Sequence, residues 1–483
     1  MFETISQYLN MSWVYYTFMC IYVATTITII GVILSENRNP VKSLAWVTVL
    51  FLLPIFGIIL YLFFGRSIKN KRMISRRNRR RLRKHEKQPV IDKRSISLSD
   101  ESIQLITLGG TLAASRYLPD NSVEFFTDGK SKFEALKRDL RAARHSINIQ
   151  YYIFQDDHIG REICDILIER RRAGVEVRVI YDHVGSFSTR TRFFKEMQRE
   201  GIRAYPFFKV SFPPFGTRIN WRNHRKICII DGSIGYIGGM NIADRYIDGG
   251  KFPVWRDTHL RLTGPVVRAL RYSFAIDWNF MGQPLLEDDS EFIRNVETGA
   301  PKAGMQLITS GPTSQWSNIA YMFHKAIANA KRRIYIQTPY FLPTEGLFKA
   351  LQVAALAHVD VRIMIPRRSD SKMLTYASCS YIAESLKSGI KVYFYEAGML
   401  HSKAMIIDDE ISSVGSTNFD FRSFEHNFEA NVFMYSRDVN SQLAEIFRKD
   451  LENSTRISPF EWRRRPYTQK AAESIIRLLS PIL

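Results

Sequence analysis

An internal repeat constrains the fold of this chain more than any other feature of its sequence. Three segments occur twice in the same order, for example INIQYYIF in the first copy and IYIQTPYF in the second. An apolar pattern of helical spacing precedes this pair in both copies. Matches in the same order argue against chance. The paired segments are 147–154 and 334–341, 175–182 and 359–366, and 201–208 and 389–396.

The repeated segments are rich in β-branched residues and alternate with helical patterns. That alternation is typical of α/β units with a mostly parallel or mixed sheet. A chain of 483 residues is long enough to bury at least two domain-sized cores. We therefore predict an α/β fold of two homologous halves, at residues 101–300 and 301–483.

A polar motif ends each copy of the repeat. In the first half, a histidine and a lysine two residues apart are followed by an aspartate and, six residues later, by GGMN at 238–241. The second half has the same pattern, HxKxxxxD-x6-G[GS]xN, with the same internal spacing. A single HxK pair is weak evidence, but two copies, one in each half, are specific. The predicted catalytic residues are His224, Lys226, Asp231, His401, Lys403 and Asp408.

The motif predicts a phosphate site between the halves. Each HxK pair opens an apolar strand, in which residues i and i+2 point to the same face, and the aspartate marks a hairpin turn. Two lysines near one point are costly unless an anion lies there. Side-chain amides are suitable donors to phosphate oxygens, although Gln150 and Gln337 are equally well explained as satisfied core amides. The predicted substrate-binding residues are Asn241, Asn418, Gln150 and Gln337.

Paired histidines suit a two-step displacement at phosphorus. One neutral imidazole attacks and forms a phosphohistidine, while the other, protonated, gives its proton to the departing alcohol. The two imidazoles must then differ in environment. Glu429 and Asp257 lie in strand-like stretches after the motifs and are the predicted orienting carboxylates, with ordinary surface carboxylates as the alternative. This scheme requires no metal and no cofactor, and the remaining histidines form no recognisable ligand set.

Residues 1–65 predict a transmembrane helical hairpin. Residues 14–34 and 44–64 are two runs without a formal charge, each long enough to cross a hydrocarbon core that needs about 20 helical residues. Asn39 and Pro40 break the chain between them. A signal peptide fits the first run poorly, because no Lys or Arg precedes it. A buried pair of helices in a soluble protein is the other alternative.

The distribution of charge orients this hairpin. A formal net charge of +21 argues for an anionic partner, either nucleic acid or an anionic membrane surface. Residues 66–100 form a basic linker directly after the second apolar run, which favours lipid and predicts that this side of the membrane is cytoplasmic. The C-terminal stretch from residue 471 predicts an amphipathic helix, either at the membrane interface or packed on the core.

The whole pattern resembles the bacterial cardiolipin synthases of the phospholipase D superfamily. The duplicated motif matches the HKD signature of that superfamily, and QYYIF at 150–154, TPYFLP at 338–343 and the segment beginning FEWRRRPY at 460 are similar to the narrower family. The resemblance covers essentially the entire sequence. It implies two α/β sandwiches related by pseudo-two-fold symmetry, with the active site at their interface.

The resemblance also implies a reaction in which two phosphatidylglycerol molecules give cardiolipin and glycerol, with His224 as nucleophile and His401 as general acid and base. The implied partners are phosphatidylglycerol and anionic membrane lipids including cardiolipin, with no nucleic acid, at the bacterial cell membrane. A phospholipase D-type hydrolase, a transferase that uses another alcohol, a nuclease and a non-enzymatic membrane scaffold are the alternatives. The sequence leaves a homo-oligomer open.

Overall fold

The computed structural model describes residues 2–35, 40–53, 56–61, 65, 72–84, 97–210, 220–286, 302–478 and 480. Parts of the predicted second membrane run and basic linker, and the last residues of the predicted C-terminal helix, lie outside the described residues. The described chain divides into two compact units. The N-terminal helices form the first unit, and both halves of the repeat belong to the second.

Apolar helices make up the first unit. They are α1 (Phe2–Ser35), α2 (Pro40–Leu52) and α3 (Phe56–Leu60). Within α1, Trp13–Ile33 is long and apolar enough to cross a membrane, with a mean hydropathy of 1.9. The second predicted span is covered only in part, because α2 ends before Pro54 and a separate short helix follows it. Two spans therefore stay a prediction.

The helices of the first unit pack against one another through a small apolar cluster. The Tyr22 hydroxyl donates a hydrogen bond of 2.9 Å to the carbonyl oxygen of Leu50. Large apolar side chains such as Trp13 and Phe18 are exposed on α1, as expected for a helix that lipid covers. The buried cluster consists of Ile29, Ile33, Leu50 and Tyr61.

Two helices precede the repeat in the second unit, α4 (Arg76–Lys84) and α5 (Asp100–Ala113). The first half then runs from a long strand to a long helix. Its elements are β1 (Leu118–Phe126), α6 (Gly129–Arg141), β2 (Ser146–Tyr151), α7 (His158–Arg172), β3 (Glu176–Asp182), α8 (Thr191–Arg199), β4 (Arg203–Phe207), β5 (Lys226–Ile230), β6 (Ile234–Gly238), α9 (Arg245–Asp248), β7 (Trp255–Arg256), β8 (His259–Thr263) and α10 (Val266–Phe280).

The second half repeats this order and adds short elements at its end. Its elements are β9 (Lys302–Ser310), α11 (Asn318–Asn329), β10 (Arg333–Gln337), β11 (Phe341–Leu342), α12 (Glu345–Leu356), β12 (Asp360–Pro366), α13 (Lys372–Lys387), β13 (Lys391–Tyr395), β14 (Met399–Leu400), β15 (Ala404–Ile407), β16 (Ile411–Gly415), β17 (Phe419–Asp420), α14 (Phe421–Glu425), β18 (Glu429–Tyr435), α15 (Arg437–Glu452), β19 (Ser454–Arg456), α16 (Pro459–Arg463) and α17 (Tyr467–Arg477).

In the described chain, fifteen strands join one mixed sheet in the order β19-β13-β12-β10-β15-β16-β18-β9-β1-β8-β6-β5-β2-β3-β4. The order is nearly symmetric about the antiparallel pair β9 and β1, with β2 and β10, β5 and β15, and β8 and β18 in equivalent places. The predicted α/β fold of two homologous halves is thus confirmed, with strands at all six repeated segments.

The two halves share a hydrophobic core, which explains why they form one compact unit. Side chains of β5 and β8 from the first half pack in one buried cluster with side chains of β15 and β18 from the second. Each aliphatic side chain that is fully buried contributes about 1.5–3 kcal/mol. Two further clusters fill the spaces between each half's strands and its own helices, α6–α8 or α11–α13. The shared cluster includes Ile227, Ile229, Leu260, Leu262, Ile406 and Val432.

Candidate active site

Each motif histidine is held by the opposite half of the protein. His224 lies just before β5, and its backbone N–H donates to the carbonyl of Phe428, over 2.9 Å. Its ring atom Nδ1 lies 3.0 Å from Oε1 of Glu429, the first residue of β18. The first half therefore supplies the histidine, and the second half supplies the carboxylate that orients it.

The second histidine repeats this arrangement with the halves exchanged. The backbone N–H of His401 donates to the carbonyl of Arg256, over 2.6 Å. Its Nδ1 lies 2.6 Å from Oδ2 of Asp257. Because a buried carboxylate accepts the proton on Nδ1, the lone pair of each ring is left on Nε2. Both imidazoles are thereby prepared to act as nucleophile or base.

The two lysines bring positive charge to the same place. Lys226 Nζ donates to the carbonyl of His224, and Lys403 Nζ lies 2.8 Å from His401 Nδ1 and 4.0 Å from Asp257 Oδ2. Burial lowers the pKa of Lys403 to about 8 and that of Lys226 well below its usual value. Lys403 lowers the pKa of Lys226 further, so both motifs contribute to one electrostatic site. An anion between the lysines would relieve this repulsion.

Both imidazoles are neutral near neutral pH. Burial, and then Lys403, lowers the pKa of His401 to about 4 against the opposing effect of Asp257. Burial also lowers the pKa of His224, with Lys226 adding to the effect and Glu429 opposing it. A bound phosphodiester would bring negative charge beside the rings and raise both pKa values.

The orienting carboxylates stay ionised in spite of their complete burial. Burial alone would raise the pKa of Glu429, but His224 and Lys226 outweigh it and the net shift is downward. The pKa of Asp257 is lowered in the same way, with Lys403 and His401 outweighing burial. These two side chains therefore provide the permanent negative charges beside the histidines.

Comparison with known proteins places this geometry in a family. A family model described as cardiolipin synthase, PLD-like domain matches residues 136–250 and 323–451, and these ranges contain both HxK pairs. A second model, phospholipase D-nuclease N-terminal, matches residues 21–66. The chain is 41% identical to the major cardiolipin synthase of Bacillus subtilis, over 94% of this chain and 96% of that protein. The chain belongs to the cardiolipin synthase family.

Other comparisons agree with this assignment. Cardiolipin synthase 2 of Bacillus anthracis is 40% identical over 94% of this chain and 89% of its own length. The crystal structure of a phosphatidylserine synthase from Haemophilus influenzae has the same fold, with a TM-score of 0.60 over 79% of this chain and 100% of that chain, at 13% identity. This member of the cardiolipin synthase family is therefore a membrane-associated phosphatidyltransferase, and the predicted family, fold and enzyme class are confirmed.

In this family member, the motif aspartates lie at the far end of the strands that follow the histidines. Asp231 accepts hydrogen bonds from the backbone N–H groups of Arg144, His145 and Ser146 at the start of β2, over 2.8–2.9 Å. Asp408 accepts from the equivalent three amides before β10, over 2.7–3.0 Å. Both aspartates have positive φ, 51° and 47°, in the predicted hairpin turns. The structure therefore separates them from the histidines and lysines.

The motif asparagines are buried next to the site. Asn241 accepts from the N–H of Ile153 and donates to the hydroxyl of Tyr246, over 2.6 Å. The Tyr246 ring lies 6.1 Å from that of His401. Asn418 makes a side-chain hydrogen bond with Asp420. Their predicted contact with substrate stays a prediction.

The repeated glutamines bind a second pair of buried carboxylates. Gln150 donates to Asp277 of α10 over 2.5 Å, and Gln337 donates to Asp450 of α15 over 2.7 Å. These aspartates also accept hydrogen bonds from arginines that neighbour the predicted site residues. Arg225 donates to Asp277, and Arg256 donates to Asp450. Each glutamine is thereby linked through an aspartate to one arginine, either Arg225 beside His224 or Arg256 beside Asp257. A direct contact with phosphate stays a prediction.

Sequence reasoning missed the residues that distinguish the two carboxylates. Ser416 donates its hydroxyl to Glu429, and Asn427 donates to the same carboxylate over 3.4 Å. The position equivalent to Ser416 is Gly239, where an added Cβ would lie 2.0 Å from Oδ1 of Asp257. The signal in the sequence is the dipeptide of the motif, which is GG at 238–239 and GS at 415–416, because only the second copy carries a side chain at this position.

Proposed function

We propose that this protein makes cardiolipin and glycerol from two molecules of phosphatidylglycerol through a phosphatidylhistidine intermediate. The observation that carries the proposal is the crossed arrangement of two buried histidine–carboxylate pairs around two buried lysines. Such a site binds one phosphodiester and offers two imidazoles to it. The names of the similar proteins suggest the product, and phosphatidylglycerol is the donor whose exchange requires no nucleotide.

In the first step, Nε2 of His224 attacks phosphorus. The new N–P bond replaces the P–O bond to the glycerol headgroup, and the departing oxygen takes a proton from His401. The negative charge of the bound phosphodiester favours that protonated form of His401. Asp257 stabilises the His401 imidazolium until its proton is transferred, and Glu429 holds His224 in the tautomer that attacks.

In the second step, the roles reverse. Neutral His401 removes the proton from a glycerol hydroxyl of the second phosphatidylglycerol, and that oxygen attacks phosphorus. The N–P bond breaks and His224 returns to its neutral form. Lys226 and Lys403 stabilise the charge on the phosphoryl oxygens throughout. Asp231 and Asp408 act at a distance, by fixing the turns that hold the catalytic strands.

The membrane arrangement that fits this chemistry has two spans with the catalytic unit in the cytoplasm. The support is the apolar run of residues 44–64 and the basic residues that follow it, since basic residues flanking a span are retained on the cytoplasmic side. Reporter fusions at residues 37 and 483 test this topology. We expect an external reporter at 37 and an internal reporter at 483, and two reporters on the same side would contradict it.

The decisive experiment supplies the purified full chain in detergent–lipid micelles with phosphatidylglycerol alone and identifies the products by mass spectrometry. We expect cardiolipin and glycerol in equal amounts, lost in His224→Ala and in His401→Ala. His158→Ala is the matched control, because this histidine lies at the surface with its side chain 79% exposed. Phosphatidic acid as the sole product would identify a hydrolase. A phosphatidyl ester of another added alcohol, with no cardiolipin, would identify a different acceptor.

A further inference from the structure

A cleft of about 550 Å³ lies in the second unit, and neither His224 nor His401 is among its described lining residues. Parts of α4, α5 and α10 and the segment after β9 line it. Its described lining residues include no aspartate and no glutamate. Its charge therefore comes from one kind of side chain. The charged residues are Arg72, Arg79, Arg116, Arg225 and Arg268.

Three of these arginines are available to a ligand. Arg72, Arg79 and Arg268 are exposed. Among the described residues, none of the three forms an ion pair with a carboxylate. Like charges that surround one cavity repel one another, and an anion placed among them removes that repulsion. Guanidinium groups are also the side chains best suited to bind phosphate with two parallel hydrogen bonds.

The remaining lining suits the other parts of a lipid headgroup. Ser310 and Ser314 offer hydroxyl groups, and Asn318 begins helix α11, whose cap residue makes no side-chain capping bond. The N-terminus of a helix favours an anion. Tyr272 and Trp316 also line the cleft, and both residue types are enriched where protein meets lipid headgroups. Arg72 follows the end of the apolar N-terminal sequence at Gly65 by only seven positions.

The cleft and the candidate active site lie on opposite sides of the segment that leads into β5. Arg225 lines the cleft, whereas its neighbours His224 and Lys226 belong to the catalytic site. Alternate residues of an extended chain point to opposite faces. The Arg225 guanidinium donates a hydrogen bond of 2.6 Å to Asp277. Arg225 therefore forms part of the wall of the cleft, and the exposed arginines are the ones that would bind an anion.

We propose that this cleft binds the phosphate group of an anionic glycerophospholipid as a second lipid site. The group it recognises is the phosphate oxyanion, which a lipid headgroup and free phosphate share. The proximity of Arg72 to the membrane segment in the sequence makes lipid the source. The inference does not rest on the proposed reaction, since it concerns binding and needs no turnover.

The test compares two double variants of the full chain in detergent micelles. Arg79→Gln with Arg268→Gln removes two charges from the cleft. Arg77→Gln with Arg81→Gln removes two charges from α4 at positions that do not line the cleft. The probes are dioctanoyl phosphatidic acid, dioctanoyl phosphatidylcholine and inorganic phosphate, with bound lipid counted by native mass spectrometry. Both variants keep the catalytic residues, so lipid bound there is the same in each, and thermal unfolding checks that each is folded.

We expect the second molecule of phosphatidic acid to bind about tenfold more weakly, or more weakly still, to the cleft variant than to the control variant. The reason is that two arginine contacts are lost. Phosphatidylcholine should bind weakly to both. Equal binding of phosphatidic acid by the two variants would overturn the site. Displacement of the lipid by an equal concentration of inorganic phosphate would overturn the lipid source and assign the cleft to free phosphate.

Discussion

The two catalytic motifs have the same spacing in sequence, but their histidines stand in different surroundings. His224 is oriented by a glutamate whose carboxylate also receives Ser416 and Asn427. His401 is oriented by the shorter Asp257, whose second oxygen accepts the N–H of Thr258 over 2.7 Å. The glutamate therefore has the longer side chain and accepts more hydrogen bonds from side chains other than its histidine than the aspartate does.

The lysines differ in the same sense. Both lysines donate to the backbone carbonyl of the histidine in their own motif, but Lys403 also lies 2.8 Å from Nδ1 of the His401 ring. Burial, and then Lys403, lowers the pKa of His401 to about 4. A duplicated motif can thus supply two chemically distinct histidines, which a two-step transfer requires because one attacks while the other moves a proton. The following predictions test how far this difference extends.

The largest effect is expected from the histidines themselves. Either His224→Ala or His401→Ala should lower turnover by at least about a thousandfold, since nucleophile and proton donor act in the same step. A phosphatidyl ester of p-nitrophenol needs no acid for its departure and separates the two roles. His401→Ala should release about one equivalent of p-nitrophenol in a burst and retain a phosphatidyl group on His224. A burst in His224→Ala alone would exchange the roles.

The carboxylates should come next, and unequally. Asp257→Asn should lower kcat by about 100-fold, because Thr258 holds the amide oxygen and the amide N–H₂ then faces Nδ1 and reverses the tautomer of His401. Glu429→Gln should cost only about tenfold, because Ser416 can accept from the amide and leave its oxygen for His224. Steady-state kinetics in micelles measures both. Equal losses would show that the two surroundings are equivalent.

Substitutions of Gly239 and Ser416, which lie against the two carboxylates, should have smaller effects on kcat. In Gly239→Ala, the new methyl group would lie 2.0 Å from Asp257 Oδ1 and push the carboxylate away from His401. We expect a loss of about tenfold in kcat. Ser416→Gly removes one hydrogen bond to Glu429, worth about 1 kcal/mol or roughly fivefold. Thermal unfolding distinguishes these local effects from loss of the fold, and a larger effect at Ser416 would contradict the comparison.

The pH dependence should show the mildest change. Lys403, with a pKa of about 8, loses its positive charge as the pH rises, so kcat/KM should fall above about pH 8. The pKa of His224 is lowered from its usual value, mainly by burial, so protonation of this nucleophile in the free enzyme should reduce kcat/KM only below pH 6.5. Lys403→Arg keeps its charge at high pH and should move the alkaline limb upward. A wild-type profile that stays flat to pH 9.5 would contradict the assignment.

Much of the fold follows from periodicity. The repeated strands and the helices between them were predictable because apolar residues recur with the spacing of buried strands and amphipathic helices. The membrane helix at Trp13–Ile33 was predictable because lipid demands a long uncharged run. The second span stays a prediction, since its uncharged run contains a proline, which disfavours a continuous helix, and local pattern alone does not decide how the chain continues.

The sequence by itself determined the duplicated motif and predicts that its histidines and lysines carry the chemistry, because the motif occurs twice with one spacing and histidine and lysine two residues apart share a face of a strand. Only the tertiary structure decided which carboxylate serves which histidine. Glu429 is 205 residues from His224, and Asp257 is 144 residues from His401. No local spacing encodes such pairs, since they form only when the two halves pack on their shared core. The same packing places Asp231 and Asp408 in turns away from the histidines. The sequence groups them with the catalytic residues because they belong to the same motif.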